Sequence, residues 1–176
     1  ARADPPIRLL RRARSRGEDR GLRQTAIFAL GNFNDSKAVT RCVEALNDAD
    51  VFVGWNAAFA LGRQNDARSL PVLERFLDAG YVERVAHGYS PTASATKGGM
   101  GSAPIFRPEQ LEQYRVTAVR LLGQLALNDR INGADGALRE KLRKVADQDK
   151  QLKVRQAAIE ALKKGDEGRG GADKGG

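Results

Sequence analysis

One segment of this chain is written four times. Leu22-Arg23-Gln24-Thr25-Ala26-Ile27-Phe28-Ala29-Leu30-Gly31 returns thirty-one residues later as Val53-Gly54-Trp55-Asn56-Ala57-Ala58-Phe59-Ala60-Leu61-Gly62. It returns again as Tyr114-Arg115-Val116-Thr117-Ala118-Val119-Arg120-Leu121-Leu122-Gly123, and as Val154-Arg155-Gln156-Ala157-Ala158-Ile159-Glu160-Ala161-Leu162. The shared pattern is apolar-x-x-x-Ala-apolar-x-(Ala/Leu)-Leu, with Arg after the first position in three copies. Such spacing places the apolar positions on one stripe of a helix. The small Ala lets a neighbouring helix approach, and the following Gly suits a left-handed helix end.

After the first two copies, Asn34-Asp35 and Asn65-Asp66 supply caps for a second helix. That helix carries Val39, Cys42, Val43 and Leu46 in one unit, and Leu70, Leu73, Phe76 and Leu77 in the next. Each unit is then a helical hairpin too small to bury its own apolar face, and stacking the hairpins buries it. The expected fold is an all-α, α-α superhelix of about four hairpins, occupying residues 1–164 as one solenoid. Helices are expected at about 4–15, 19–31, 36–47, 50–63, 67–79, 109–127, 136–147 and 150–164. The second and third copies stand 61 residues apart, about twice the repeat spacing. A long loop insertion is therefore expected at about 80–108. Residues 165–176 are Gly-rich and charged, and disorder is expected there.

The first two units resemble bacterial HEAT-like repeats of the phycobilisome-lyase type. Trp55-Asn56-Ala57-Ala58-Phe59-Ala60-Leu61-Gly62, followed by Asp66 and Leu70-Pro71-Val72-Leu73, carries the resemblance, and Val154–Leu162 carries it again. It covers about two thirds of the chain. It implies a HEAT-repeat solenoid, a fold that serves many kinds of partner. Three catalytic relatives also come into view. Bilin-lyase activity is implied by the repeat type alone. HEAT-type hydroxylases bind iron through His-Glu pairs, and His87 is the only histidine here, so that reading fails. HEAT-like DNA glycosylases use a basic, aromatic surface around a catalytic acid.

Composition narrows these classes. Cys42 is the only cysteine, which excludes an internal disulfide or a thiolate zinc site. As a match to Leu73 it reads as a core residue. No run of eighteen apolar residues is present. Net charge is +8, and residues 1–23 hold eight arginines against three acids. A basic stripe along the solenoid, which nucleic-acid binding would want, is missing. Ser94-Ala95-Thr96-Lys97 spells Ser-x-x-Lys, but three glycines follow within four residues and oppose the helix such a nucleophile needs.

The leading reading is thus a non-catalytic scaffold for a protein or peptide, with no catalytic residue, cofactor or metal. Nucleic-acid binding or DNA repair is the alternative, and bilin-lyase-like activity a further one. Three places could hold a partner. The second-helix face offers Lys37, Arg41, Arg68 and Arg75, a mildly basic surface that fits an acidic peptide. The insertion offers Tyr89, Met100 and Phe106 as a flap. The N-terminal helix offers Arg8, Arg11 and Arg12, on a solvated capping face or against an anionic surface. A cytoplasmic location is expected. Some similar HEAT-repeat proteins place a membrane helix ahead of the repeats, so tethering to the inner membrane through an upstream segment is the alternative.

Overall fold

The structure, a computed structural model, describes residues 20–88, 106–127 and 136–170. All regular structure in these residues is helical. The first helices of the repeats are α1 (Arg20–Leu30), α3 (Val51–Arg63), α6 (Pro108–Ala126) and α8 (Leu152–Gly170). The second helices are α2 (Ser36–Ala45), a short α4 (Leu70–Leu73) and α7 (Ala137–Gln148). Helix α5 (Ala79–Gly88) lies outside this alternation.

The look-alike segments stack in chain order: α1 on α3, α3 on α6, α6 on α8. Each second helix wedges between two first helices, α2 between α1 and α3, residues 67–77 between α3 and α6, and α7 between α6 and α8. Helix starts follow from caps written in the sequence. The Asp35 carboxylate accepts from the N–H groups of Lys37 and Ala38, and the Asp50 carboxylate from those of Phe52 and Val53. Asp66 accepts from Arg68 N–H and opens the second hairpin's return helix. That return is tightly wound: 3₁₀ turns at Ala67–Ser69 and Glu74–Leu77 flank the single α turn of α4. Pro71, which has no N–H to donate, sits inside that turn.

Two apolar clusters form the core, and α3 belongs to both. Val53, Ala57, Ala60 and Leu61 face Ala26, Ile27, Leu30, Ala38, Cys42 and Ala45. Phe52, Trp55, Ala58 and Phe59 face Leu73, Phe76 and Val82 together with the apolar stripes of α6, α7 and α8. Trp55 is 1 % exposed, meets Phe52, Phe76, Tyr81 and Tyr114 ring to ring, and donates its indole N–H to the Tyr81 hydroxyl at 3.1 Å.

Three expectations need correction. The insertion does not begin as a loop: Ala79–Gly88 is a helix. Tyr81, Val82, Val85 and Ala86 give it an apolar stripe, and that stripe packs on the Trp55–Phe76 aromatics. The C-terminal segment does not leave the helix at residue 165, because α8 continues through Gly170. A helix anchored by the buried Val154, Ala157 and Ala158 is already nucleated, so each further residue faces only its own propagation cost, about 1 kcal/mol for Gly. The glycines that close the repeat pattern are not left-handed caps. Gly62 and Gly123 lie within helices, and the positive-φ positions among the described residues are Asn65 and Gly136. Those glycines serve close helix approach instead: a Cβ on Gly62 would stand 3.1 Å from Leu121 Cδ1, and one on Gly123 would run into the Ala161 Cβ.

Candidate docking surface

The described candidates from the sequence fall on two surfaces. Lys37, Arg41, Arg68 and Arg75 lie on the second-helix layer, at positions exposed or half-exposed to solvent. Two of them are engaged within the chain. Arg41 Nη1 donates to Glu44 Oε2 at 2.7 Å, and the Arg68 guanidinium folds back onto its own cap, Asp66. The Arg68 hydrogen bond holds the Asp66 carboxyl below the usual carboxylate range, against the opposing effect of burial. Lys37 and Arg75 have no ion-pair partner among the described residues. The larger hollow on this side, about 780 Å³, lies between residues 74–83, α7 and the α7–α8 turn. Glu74, Glu83 and Asp149 balance Lys141, Lys144 and Lys150 around it, so it carries no net positive field. Arg75 borders a small cleft of about 140 Å³ beside Tyr81.

Phe106 is a packing residue rather than a free grip. It is half-buried and stacked on Phe52, with ring centroids 4.7 Å apart and planes 23° from parallel. Tyr89, Met100, Arg8, Arg11 and Arg12 lie outside the described residues, as do the expected first helix at 4–15, the Ser94–Lys97 pattern and residues 171–176. His87 stands exposed at the end of α5.

The sequence reading missed a second groove. A hollow of about 870 Å³ runs along the layer of first helices, and every lining residue comes from α1, α3, α6 or α8. Gln24, Thr25 and Phe28 line it from α1, and Asn56, Phe59 and Arg63 from α3. Glu109, Gln110, Gln113, Tyr114 and Thr117 line it from α6, and Lys153 from α8. Thr25, Asn56 and Thr117 occupy one repeat position, so the stacking of like on like puts a polar side chain at each step. Phe28 and Phe59 share another. Phe28 is 59 % exposed, while Phe59 is 6 % exposed and stacks on the Tyr114 ring at 6.0 Å. Burial pushes the Tyr114 phenol above its ordinary value, so the hydroxyl stays protonated and able to donate at neutral pH.

A signal for this groove was present in the repeat itself. The pattern leaves the seventh position open, and solvent-facing positions of that kind are ordinarily polar, as Arg120 and Glu160 are in the later copies. Phenylalanine stands there in the first two. The ring of Phe59 is already covered at 6 % exposure, whereas that of Phe28 is left 59 % exposed at the groove.

Electrostatically the groove is mixed. Lys153 Nζ donates to Glu112 Oε2 at 2.8 Å and lies in the field of Glu109. Arg63, in the last turn of α3, is exposed and has no ion-pair partner among the described residues. Its Nη2 lies over Gly31, in the space a side chain there would fill.

Cys42 is fully buried, and desolvation pushes its thiol up to about 11 despite the nearby Arg63 charge. Among the described residues no helix is long and apolar enough to cross a membrane. No cluster of three or more His, Cys, Asp or Glu side chains able to hold a metal ion occurs among them either.

Comparison with known proteins agrees with the architecture. No curated protein matches the chain. Residues 7–88, a stretch that takes in the first two hairpins and α5, match the family model for HEAT repeats. With α6, α7 and α8 continuing the same stack beyond the matched stretch, the described residues form an α-α superhelix whose first part is similar to HEAT repeats.

Proposed function

We propose that the chain is a non-catalytic docking module that holds an extended segment of a protein partner in the groove along its first helices. The observation that carries this reading is the ladder of like positions: Thr25, Asn56 and Thr117 as polar rungs beside the exposed ring of Phe28. An extended backbone offers a donor and an acceptor at every residue. It advances about 3.3 Å per residue, against about 8–10 Å between packed helices. A rung therefore meets the segment about every third residue, and the aromatic position supplies an apolar seat. HEAT repeats generally mediate protein–protein interaction, and the match at residues 7–88 points the same way.

The test is selection of random dodecamer peptides on the immobilised chain, followed by fluorescence anisotropy with the selected peptides in solution. Phe28→Ala is expected to weaken them at least tenfold while leaving the melting temperature within about 2 °C, because a largely exposed ring contributes little to the core. Peptides that bind Phe28→Ala and Asn56→Ala as tightly as the parent chain would remove the groove as the docking site. Retention on single-stranded DNA that falls steeply with salt would favour the nucleic-acid reading instead.

A further inference from the structure

We infer that the α1–α3 step of this groove recognises a carboxylate side chain, so that the docked segment carries Asp or Glu two residues from an aliphatic or aromatic residue. The inference rests on the docking reading above and adds the chemistry of the ligand. Arg63 is the groove's one cation without a carboxylate partner among the described residues, since Lys153 is held by Glu112. The cation is also placed. Gly31 has no side chain, and the Arg63 Nη2 lies in the space that leaves. A guanidinium laid into the step between two helices loses less rotamer freedom on binding than one free in solvent, and its planar fork suits a carboxylate.

The apolar half of the site adjoins it. Phe28 lies three residues before Gly31 on α1, and Phe59 four residues before Arg63 on α3, each about one helical turn, or about 5 Å, along its helix. In an extended segment, residues i and i+2 face the same way about 7 Å apart. One such pair seats an apolar side chain on Phe28 and a carboxylate on Arg63.

The groove continues past Arg63 in both directions, to Thr25 and Gln24 on one side and to Gln113 and Thr117 on the other. The carboxylate is therefore an internal side chain rather than a chain terminus. At the far end, Glu109 and Glu112 face a single ammonium, Lys153, so a second acid is disfavoured there. This asymmetry keeps the acid at the α1–α3 end of the groove.

The dodecamer selection tests this directly. Peptides that bind in a Phe28-dependent way are expected to be enriched in Asp or Glu at i+2 or i−2 from an apolar residue. Arg63→Glu should weaken them at least tenfold, and Arg63→Gln nearly as much. Exchanging the peptide acid for Lys should restore binding to Arg63→Glu. Arg63 is exposed, and thermal melts of both variants are expected to match the parent chain. Phe28-dependent peptides that bind equally well to Arg63→Glu, or with Gln in place of the acid, overturn the carboxylate assignment and leave the docking groove standing. Peptides indifferent to Phe28→Ala overturn the docking reading first, and this inference with it.

Discussion

The arginine that follows the first apolar position of the repeat works as a clasp between units. Arg115 is 1 % exposed and forms a fork with the Asp149 carboxylate. Its Nε also donates to the Phe76 carbonyl at 3.0 Å, and Nη1 to Gln151 Oε1 at 2.8 Å. One side chain thereby ties the second hairpin to the third and the third to α8. Arg23 repeats the device with Asp48, at 3.1 Å through Nε and 3.2 Å through Nη2. Asp48 and Asp149 each also accept the N–H two residues on, which shapes the turn into the next first helix. In the second copy Gly54 replaces the arginine, and the corresponding Asp78 pairs on the surface with Arg84. The repeat's clasp is thus missing at the one step where α5 and the insertion follow. Burial alone would raise the Asp149 carboxyl, but the hydrogen bonds from Arg115 and Gln151 outweigh it and hold the group below the ordinary carboxylate range. Because the folded-state value is depressed, this contribution is present above the unfolded value of about 3.9 and is lost as pH falls through the folded one. Urea unfolding should therefore show stability dropping below about pH 4. Asp149→Asn, which leaves Arg115 buried without its charge partner, is expected to cost about 3–5 kcal/mol at pH 7 and to flatten that acid slope.

At the scale of elements, the spacing of helices is set by what the repeat leaves out. Gly123 in α6 lies against Ala161 of α8, whose Cα would be 3.2 Å from an added Cβ and whose Cβ would be closer still. Alanine there gains up to about 1 kcal/mol of helix propensity but forces α8 away. Overpacking of this kind costs about 1–3 kcal/mol. Gly123→Ala is thus expected to lower the melting temperature, and adding Ala161→Gly should recover part of the loss. A gain in stability from Gly123→Ala alone would show that α6 and α8 can separate freely. The same glycine shows how far the fold could be read in advance. The copies themselves announced the first helices and their order, and Asp35 and Asp66 announced the second helices, because stripe and cap are local properties of a helix. The role of the glycines was not local: whether a Gly turns the chain or admits a neighbour depends on which helix arrives beside it. Helix α5 was obscured for a related reason. Its stripe, Tyr81, Val82, Val85 and Ala86, is short and bordered by Gly80 and Gly88, and it gains definition only from the Trp55 and Phe76 rings it packs against. On the candidate site, Arg41 and Arg68 were legible as exposed cations, but their pairing with Glu44 and Asp66 depended on side-chain conformation. The groove itself needed four helices brought together, and only the two phenylalanines at an open repeat position hinted at it.

Seen as a whole, the molecule is a short linear array whose two apolar clusters meet in a single helix. In such an array each unit is stabilised by its own packing and by its neighbour's face, so opening can begin at one end. The N-terminal cluster is the smaller, and among the described residues it rests on α1, α2 and one side of α3. The other side of α3 belongs to the cluster that extends through α8. The chain carries a probe in each. Cys42, its only cysteine, is buried in the smaller cluster, with a thiol raised to about 11. Trp55, its only tryptophan, is buried in the larger. A thiol reagent should reach Cys42 only when α1 and α2 open, whereas Trp55 emission should change only when the aromatic cluster comes apart. The expected result is that Cys42 labels at urea concentrations where Trp55 emission is still native. Ile27→Ala removes a fully buried side chain from the smaller cluster at a cost of roughly 2–5 kcal/mol. It should shift the Cys42 transition to lower urea and leave the Trp55 transition nearly in place. Superimposed transitions for the two probes, moving together in Ile27→Ala, would instead mean that α3 binds both clusters into one cooperative unit. The docking groove would then share its rigidity from α1 to α8. If α1 and α2 do open first, Phe28 is carried on the least stable part of the array, and its half of the groove is firmly set only when the segment it holds is in place.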